Sequence, residues 1–183
     1  MREFLDKLHP LFTKGGKFEK YYAIYEMVDT FLYSPGDLTR GAPHVKDGID
    51  LKRVMIYVWL AVMPCVAFGC WNIGYQANMA MANLGIEVIP GWRGALIDLF
   101  AGTNPESLWD NFWHGFWYFL PIYFTTFVIG GICEVIFATV RGHEINEGFF
   151  VTSILYSLIL PASTPLWMVA LGIIFGVVLG KEV

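Results

Sequence analysis

Two long runs without charge constrain this chain more than any other feature. Residues 54–75 carry no charged side chain at 22 successive positions, and residues 112–140 carry one, Glu134. At a rise of about 1.5 Å per residue, either run as a helix covers the roughly 30 Å of a bilayer's hydrocarbon core. Apolar residues make up 56% of the chain and charged residues 15%, which is too apolar for a soluble domain. The sequence therefore predicts an all-α membrane protein with two full spanning helices.

The distribution of charge predicts how these spans are oriented. Nine of the twelve Lys and Arg residues lie in residues 1–53, whereas the segment between the spans, 76–110, holds Arg93 against four acidic residues. Excess positive charge marks cytoplasmic segments. Residues 1–53 are therefore predicted to form a cytoplasmic N-terminal region, residues 54–183 a transmembrane bundle, and residues 76–110 an outer loop.

A third apolar region, residues 148–180, is interrupted by Pro161 and Pro165. As one helix its 33 residues would measure about 50 Å, too long for one crossing, whereas each half would be too short to cross alone. In one interpretation the segment is re-entrant: it enters from the cytoplasm, breaks near mid-membrane and runs back to Lys181. In the other, a single broken helix crosses and Lys181 lies outside. We favour the re-entrant form, because a break at membrane depth must be buried in protein or line a cavity.

Residues 17–33 have aromatic and aliphatic side chains at helical spacing on one face and acidic side chains on another. This pattern predicts an amphipathic helix that lies at the cytoplasmic membrane surface. A helix packed against a partner protein explains the same pattern equally well.

Glu134 lies seven residues before Arg141. Seven residues are close to two helical turns, so the two side chains share a face. A carboxylate inside a bilayer costs about 2.5 to 3.5 kcal/mol, and such residues usually face a bundle interior or a wet cavity. Two interpretations stay open: an ion pair with Arg141 or with a lysine of another protein in a complex, or a cation or proton site near the cytoplasmic end.

Two adjacent glycines, Gly130 and Gly131, lie one helical turn before Glu134. Each costs about 1 kcal/mol in a helix relative to alanine, so the close approach of another group must compensate. That group is either a neighbouring helix or a flat ligand. Phe149 and Phe150 are either core or lipid-facing residues or, together with the glycines, the walls of a slot for a planar ring.

Other kinds of chemistry find little support. A net charge of −4 argues against a nucleic acid partner. The sequence has no Gly-rich phosphate loop, no metal-ligand spacing and no nucleophile paired with a base, so no residue is predicted to be catalytic or to bind a metal. The three cysteines are predicted to be small buried residues, and His114 and His143 to be structural.

Four stretches of the chain resemble one known family. They are "GGKFEKYYAIYE", "HVKDGIDLKRVMIYVWLAVMPCVAFG", "FLPIYFTTFVIGGICEVIFATVRGHEINEGFFVTSILYSLILP" and "PLWMVALGIIFGVVLGKEV". In this order they resemble the N-terminal part of the B subunit of the bacterial Na+-translocating NADH:quinone oxidoreductases. The stretch "VRGHEINEGFFVTSIL" is the most specific, and the outer loop is where the resemblance is loosest.

The resemblance implies a subunit of a respiratory complex in the bacterial inner membrane. Such a complex passes electrons from NADH to ubiquinone through flavins and iron–sulfur centres and couples this transfer to Na+ export. The implied fold is half of a channel-like inverted-repeat bundle, and the implied partners are the other subunits, ubiquinone, Na+ and lipid. The resemblance places Glu134 on the Na+ path and assigns to the quinone site Tyr21, Glu26, Gly130, Gly131, Phe149 and Phe150.

The flavins of the family are expected outside this sequence. Members of the family carry FMN and riboflavin, and the FMN is attached to a threonine in a Ser-Gly-Ala-Thr segment beyond the position of residue 183. The 183 residues contain no such segment. The chain therefore resembles the N-terminal part of a longer subunit.

Three other functions remain possible on the same residues. The first is the equivalent subunit of a ferredoxin:NAD+ oxidoreductase (Rnf-type) complex, although the N-terminal "GGKFEKYYAIYE" stretch favours the quinone reductase. The second is a non-redox channel or transporter subunit, since broken helices and an intramembrane acid suit that function too. The third is a structural anchor for partner proteins.

Overall fold

The computed structural model describes residues 2–13, 16–33, 41, 49, 51–86, 88–142 and 148–183. All regular secondary structure in these ranges is helical, so the predicted all-α class is confirmed. In chain order the elements are α1 (Arg2–Phe12), a 3₁₀ turn (Glu19–Tyr21), α2 (Tyr22–Leu32), α3 (Leu51–Leu84), α4 (Trp92–Phe100), α5 (Leu108–Arg141), α6 (Gly148–Ile159), α7 (Leu166–Val177) and a π-helical turn (Val178–Glu182).

Helices α3 and α5 are each 34 residues long. By length and composition both could cross a membrane. Each helix extends beyond its predicted span, because the lipid determines the length of the apolar run whereas capping determines where the helix ends. The hydroxyl of Ser107 accepts a hydrogen bond from the Asp110 backbone N–H at 3.2 Å and starts α5. Gly142 ends it with a φ of 68°.

The backbones of α3 and α5 touch at two glycines. A Cβ atom on Gly74 would lie 1.8 Å from the carbonyl oxygen of Asn111, and one on Gly115 would lie 1.8 Å from the carbonyl oxygen of Cys70. Neither position accepts a side chain without separating the helices. Small residues that let backbones approach in this way are the usual means of helix packing in membranes.

A buried polar network lies beside this contact. Asn78 donates from Nδ2 to Oδ1 of Asn111 at 2.8 Å, and its own Oδ1 accepts from Nδ1 of His114 at 2.7 Å. Asn111 in turn donates to the carbonyl of Pro105 at 2.8 Å. All three side chains are at most 2% exposed. His114 therefore has a structural role here, in line with the expectation from sequence.

Replacing Asn78 with leucine should lower the free energy of unfolding by about 1 to 2 kcal/mol, because Asn111 and His114 each lose a buried partner. Unfolding of the purified protein by SDS in mixed micelles measures the change. Asn72→Leu is the matched control: Asn72 is exposed on the same helix, and its replacement should cost less than about 0.5 kcal/mol. Equal effects of the two variants would show that the network adds no stability.

Helix α4 lies in the segment that was predicted to be an outer loop. Phe100 at its end stacks on Trp113 of α5 and lies tilted against Trp117, with ring centroids 5.5 Å apart in both cases. The indole N–H of Trp109 donates to the Phe100 carbonyl at 3.1 Å. Aromatic packing onto α5 therefore holds this short helix.

The N-terminal helices pack on each other. The hydroxyl of Tyr25 in α2 donates to the Leu5 carbonyl of α1 at 3.0 Å, and the Tyr25 ring stacks on Phe12 at 5.4 Å. Burial, and after it the charges of Asp29 and Asp6, raise the pKa of the Tyr25 phenol, so the phenol stays the protonated donor. Helix α1 was not predicted from the sequence, and neither was the packing of α2 within its own chain.

Helices α6 and α7 form a hairpin against α5. The Thr164 backbone N–H and hydroxyl both donate to the Pro161 carbonyl, at 3.0 and 2.7 Å, and close the turn between the helices. Leu158 near this turn faces Gly69 in the middle of α3. The other end of the hairpin contacts Glu134 and Arg141 of α5. Segment 148–182 thus turns back on itself beside α5, with Phe149 near Gly130 in the interior of that helix and Glu182 at Arg141. The re-entrant course of this segment in a membrane stays a prediction.

Candidate functional site

A cavity of about 380 Å³ lies between α2, α5 and α6. Its walls are almost wholly apolar, and we call it the slot. Four of the seven residues predicted from sequence line it: Gly131, Glu134, Phe149 and Phe150. The remaining lining residues are Ile24, Met27, Phe127, Val128, Ile132, Val135 and Ile136.

The two adjacent glycines have different roles in the structure. A Cβ atom on Gly130 would lie 2.6 Å from the Phe149 ring and 3.0 Å from Ile173, so the Phe149 ring packs directly against the backbone at Gly130. A Cβ atom on Gly131 would lie 3.6 Å from the same ring, an ordinary contact distance. Of the two interpretations of the pair, helix packing applies to Gly130, whereas Gly131 lines a cavity.

The two phenylalanines also differ. Phe149 is 4% exposed and packs with Ile173 and Val177 of α7. Phe150 is partly buried. The ring of Phe127 lies 6.0 Å from that of Phe149 and 5.6 Å from that of Phe150, so three aromatic rings meet at one wall of the slot. Phe149 is thus both a core residue and a wall of the slot.

The structure separates Tyr21 and Glu26 from the slot. Tyr21 is 52% exposed, and Glu26 is buried on α2; neither lines the cavity. Helix α2 contributes Ile24 and Met27 instead. These two residues were missed from sequence, although their spacing of three positions is a helical signal that could have indicated a shared face. Any role of Tyr21 or Glu26 in ligand binding stays a prediction.

Glu134 forms an ion pair with Lys181 of the π-helical turn. Nζ of Lys181 lies 2.5 Å from Oε1 of Glu134, whose side chain is 3% exposed. Arg141, the partner considered from sequence, pairs with Glu182 instead at 2.9 Å and also donates to the Glu182 carbonyl. Both ion pairs therefore join the C-terminal part of α5 to the π-helical turn that follows α7.

A second cavity, of about 250 Å³, lies on the α7 side of Glu134. It is lined, besides Glu134 and Lys181, by Thr152, Tyr156, Gly172, Ile173, Gly176, Val177 and Gly180. Glu134 thus stands in the wall between two cavities. Because the slot is apolar and the ammonium lies on the other side, the carbon stem of Glu134 lines the slot and its carboxylate faces Lys181.

Other residues singled out from sequence lie elsewhere. His143 is outside the described residues, as is most of the loop that joins α5 to α6. The prediction that the cysteines are buried is confirmed for Cys70 and wrong for Cys65, which is exposed; Cys133 is partly buried, and all three are free thiols. In the part of the chain that the structure describes, no group of three or more His, Cys, Asp or Glu side chains could hold a metal ion.

Comparison with known proteins gives concordant results. Residues 38–183 match the family model described as "NQR2, RnfD, RnfE family". The chain is 60% identical over 185 residues to the B subunit of the Na(+)-translocating NADH-quinone reductase of Stutzerimonas stutzeri (strain A1501), and 60% identical over 186 residues to that of Ectopseudomonas mendocina (strain ymp). Each alignment covers 100% of this chain and 46% of the relative. The chain thus spans about half the length of the curated relatives it matches.

Proposed function

Since this chain belongs to the NQR2, RnfD, RnfE family, we propose that it is a membrane subunit of an NADH:ubiquinone oxidoreductase that couples electron transfer to Na+ export. Within that complex it contributes part of the quinone site and part of the Na+ path. The observation that carries the proposal is the slot, because residues from three helices meet there around one apolar cavity beside an ionisable group. Ligand pockets typically measure about 300 to 1,000 Å³.

The chemistry of the slot suits the head group of a quinone. A planar, weakly polar ring packs well against aromatic side chains, and Phe127, Phe149 and Phe150 supply three of them. Val128, Ile132 and Ile136 line the slot and are also exposed, so it opens onto the outer surface of the bundle. A quinone dissolved in the lipid would enter from that side.

The position of α2 favours the quinone reductase over the Rnf-type alternative. The match to the broad family begins at residue 38, after α2, whereas the relatives named as B subunits of the NADH-quinone reductase match this chain along its whole length. Ile24 and Met27 of α2 line the slot. Helix α2 therefore completes the slot. The chain shares this helix with the quinone reductase relatives, and it lies outside the match to the broad family.

Glu134 supplies the negative charge of the Na+ path. It is the one acidic residue in the interior of α5, and Na+ is a hard cation that prefers oxygen ligands. The electron carriers are a separate matter. The expected attachment of FMN is on a Ser-Gly-Ala-Thr segment that these residues do not contain, so no electron-transfer step is assigned to any side chain of this chain.

The proposal also gives the location and the partners. The bundle lies in the bacterial inner membrane with residues 1–53 in the cytoplasm, as the excess of Lys and Arg there indicates. Many large apolar side chains of α5 and α7 are exposed in the isolated chain, among them Phe124, Val140, Trp167 and Phe175. Lipid and the other subunits of the complex would cover them.

A photoreactive ubiquinone analogue tests the slot directly. Irradiation of the whole complex with the analogue should label peptides of α2, α5 and α6 that contain Ile24, Gly131 and Phe150, and excess ubiquinone should suppress this labelling. Mass spectrometry of the digested protein measures both.

The control for that experiment is the outer end of α5. Leu108 and Trp109 there are exposed and apolar but far along the helix from the slot, so any label on them should persist when ubiquinone is added. Labelling that is spread over both ends and insensitive to ubiquinone would contradict the quinone site and favour a non-redox channel subunit.

A further inference from the structure

We propose that Lys181 is a tethered cation that occupies the Glu134 carboxylate and is displaced from it when Na+ binds. This inference rests on the proposed function of Glu134 in Na+ transport and adds to it the residue that competes with Na+. Without bound Na+, the ammonium neutralises the carboxylate. When Na+ binds, Na+ neutralises the carboxylate and the lysine side chain moves away.

The first support is the geometry of the pair. The ammonium lies 2.5 Å from a carboxylate that is 3% exposed, whereas the Lys181 side chain itself is 38% exposed. Among the described residues, Lys181 is the one charged group bonded to this carboxylate. One partner is therefore buried in the bundle, and the other reaches it from a partly exposed position on a flexible four-carbon stem.

The second support is the space into which the lysine can move. Lys181 lines the second cavity, and a Cβ atom on Gly176 or Gly180 would meet no described atom within 4 Å outside its own stretch of helix. The hydroxyls of Thr152 and Tyr156 line the same cavity. Each hydroxyl donates its proton to a backbone carbonyl, so its oxygen keeps lone pairs that can accept from a displaced ammonium or bind a cation.

A second ion pair joins the same two parts of the bundle and offers a comparison for Lys181. Arg141 binds both the carboxylate and the carbonyl of Glu182, which already joins the ends of α5 and α7. An arginine fork binds a carboxylate through two donors in a fixed geometry, whereas a lysine is a compact point charge on a flexible stem. Arg141 thus has two hydrogen bonds to Glu182, whereas Lys181 has one to Glu134.

Exchange of the Lys181 ammonium for Na+ also keeps a positive charge beside the Glu134 carboxylate at all times. Such a group is stable when a positive charge stays beside it. If Na+ replaces the ammonium, Glu134 is neutralised both before and after binding. The exposed lysine can meanwhile extend towards water.

Replacing Lys181 with methionine should lower the Na+ concentration for half-maximal turnover of the whole complex by about tenfold. The apparent affinity of a site is its intrinsic affinity multiplied by the fraction of sites that are free to bind the ligand. The ammonium keeps that fraction low, and its removal raises it. Lys181→Arg, which retains the charge, should not lower this concentration. Quinone turnover is measured against Na+ at constant ionic strength, with choline chloride as the balancing salt.

Glu182→Gln is the matched control, since it breaks the other ion pair between the same helices and should leave the Na+ titration within twofold of the parent. In a Glu134→Gln background, Lys181→Met should have no further effect on Na+. An unchanged titration for Lys181→Met in an assembled complex would overturn the inference, and so would an equal shift for Glu182→Gln. If Glu134→Gln alone leaves the Na+ titration unaltered, the proposed function of Glu134 fails instead.

A measurement on the unsubstituted complex avoids any variant that does not assemble. An amine-reactive acylating reagent should modify Lys181 several times faster in Na+ than in choline, because the displaced side chain no longer bonds to the carboxylate and can lose a proton to solvent and react as the neutral amine. Mass spectrometry of the modified peptide gives the rate. Equal rates in the two salts would contradict the displacement of Lys181.

Discussion

Replacing Gly131 with valine should raise the ubiquinone concentration for half-maximal turnover by about tenfold to a hundredfold. A group of one or a few methylenes added to a binding pocket changes discrimination by about this factor. The new side chain would start 3.6 Å from the Phe149 ring and extend into the slot beside it. Because Gly131 lines the cavity and is not a point at which two helices touch closely, the complex should still assemble. Steady-state kinetics with a short-chain ubiquinone, together with the amount of complex purified, measure the two effects separately.

Two further substitutions make this test specific. Gly131→Ala adds only the Cβ atom, which the structure accepts at an ordinary contact distance, so it should change the half-saturating quinone concentration less than threefold. Gly130→Ala adds the same atom 2.6 Å from the Phe149 ring and should destabilise the packing of α6 against α5. A Gly131→Val complex with unaltered quinone kinetics would show that the ring binds elsewhere.

The sequence predicted the spanning helices because they depend on a local property, a run of consecutive uncharged residues long enough to cover about 30 Å as a helix. The helix ends were less predictable. Leu84 lies nine residues beyond the predicted end of the first span at Tyr75, and the start of α5 depends on the cap at Ser107. Helix α4 was missed because it is held by aromatic contacts between Phe100 and α5, which no local pattern contains.

In the candidate site, too, features that depend on neighbouring residues could be predicted, whereas contacts between residues far apart in the sequence could not. The glycine pair indicated close approach, but successive helical residues point about 100° apart, so Gly130 and Gly131 could not share one role. The partner of Glu134 is 47 positions away in the sequence. Its proximity depends on the α6–α7 hairpin and on a π-helical turn, and neither the turn nor this pairing was predicted from sequence.

Substitution of Glu134 by glutamine should raise the Na+ concentration for half-maximal turnover at least tenfold, while the quinone concentration for half-maximal turnover stays within twofold. Glutamine keeps the length of the side chain, so the wall of the slot keeps its shape, but the negative charge that attracts Na+ is lost. At an effective dielectric constant of about 20, two unit charges 4 Å apart, here Na+ and the carboxylate, interact by about 4 kcal/mol, and water that stays on the cation reduces that figure. A tenfold change corresponds to about 1.4 kcal/mol, well inside it.

The separation of the two effects is what makes Glu134→Gln informative. The carbon stem of Glu134 lines the slot, whereas its carboxylate faces Lys181 and the second cavity. A substitution that removes only the charge should therefore act on Na+ alone, and Gly131→Val should act on quinone alone. Loss of quinone affinity in Glu134→Gln with no change in the Na+ titration would reverse this assignment: the carboxylate would then belong to the quinone site, and the ion pair with Lys181 would be a structural joint like that of Arg141 and Glu182.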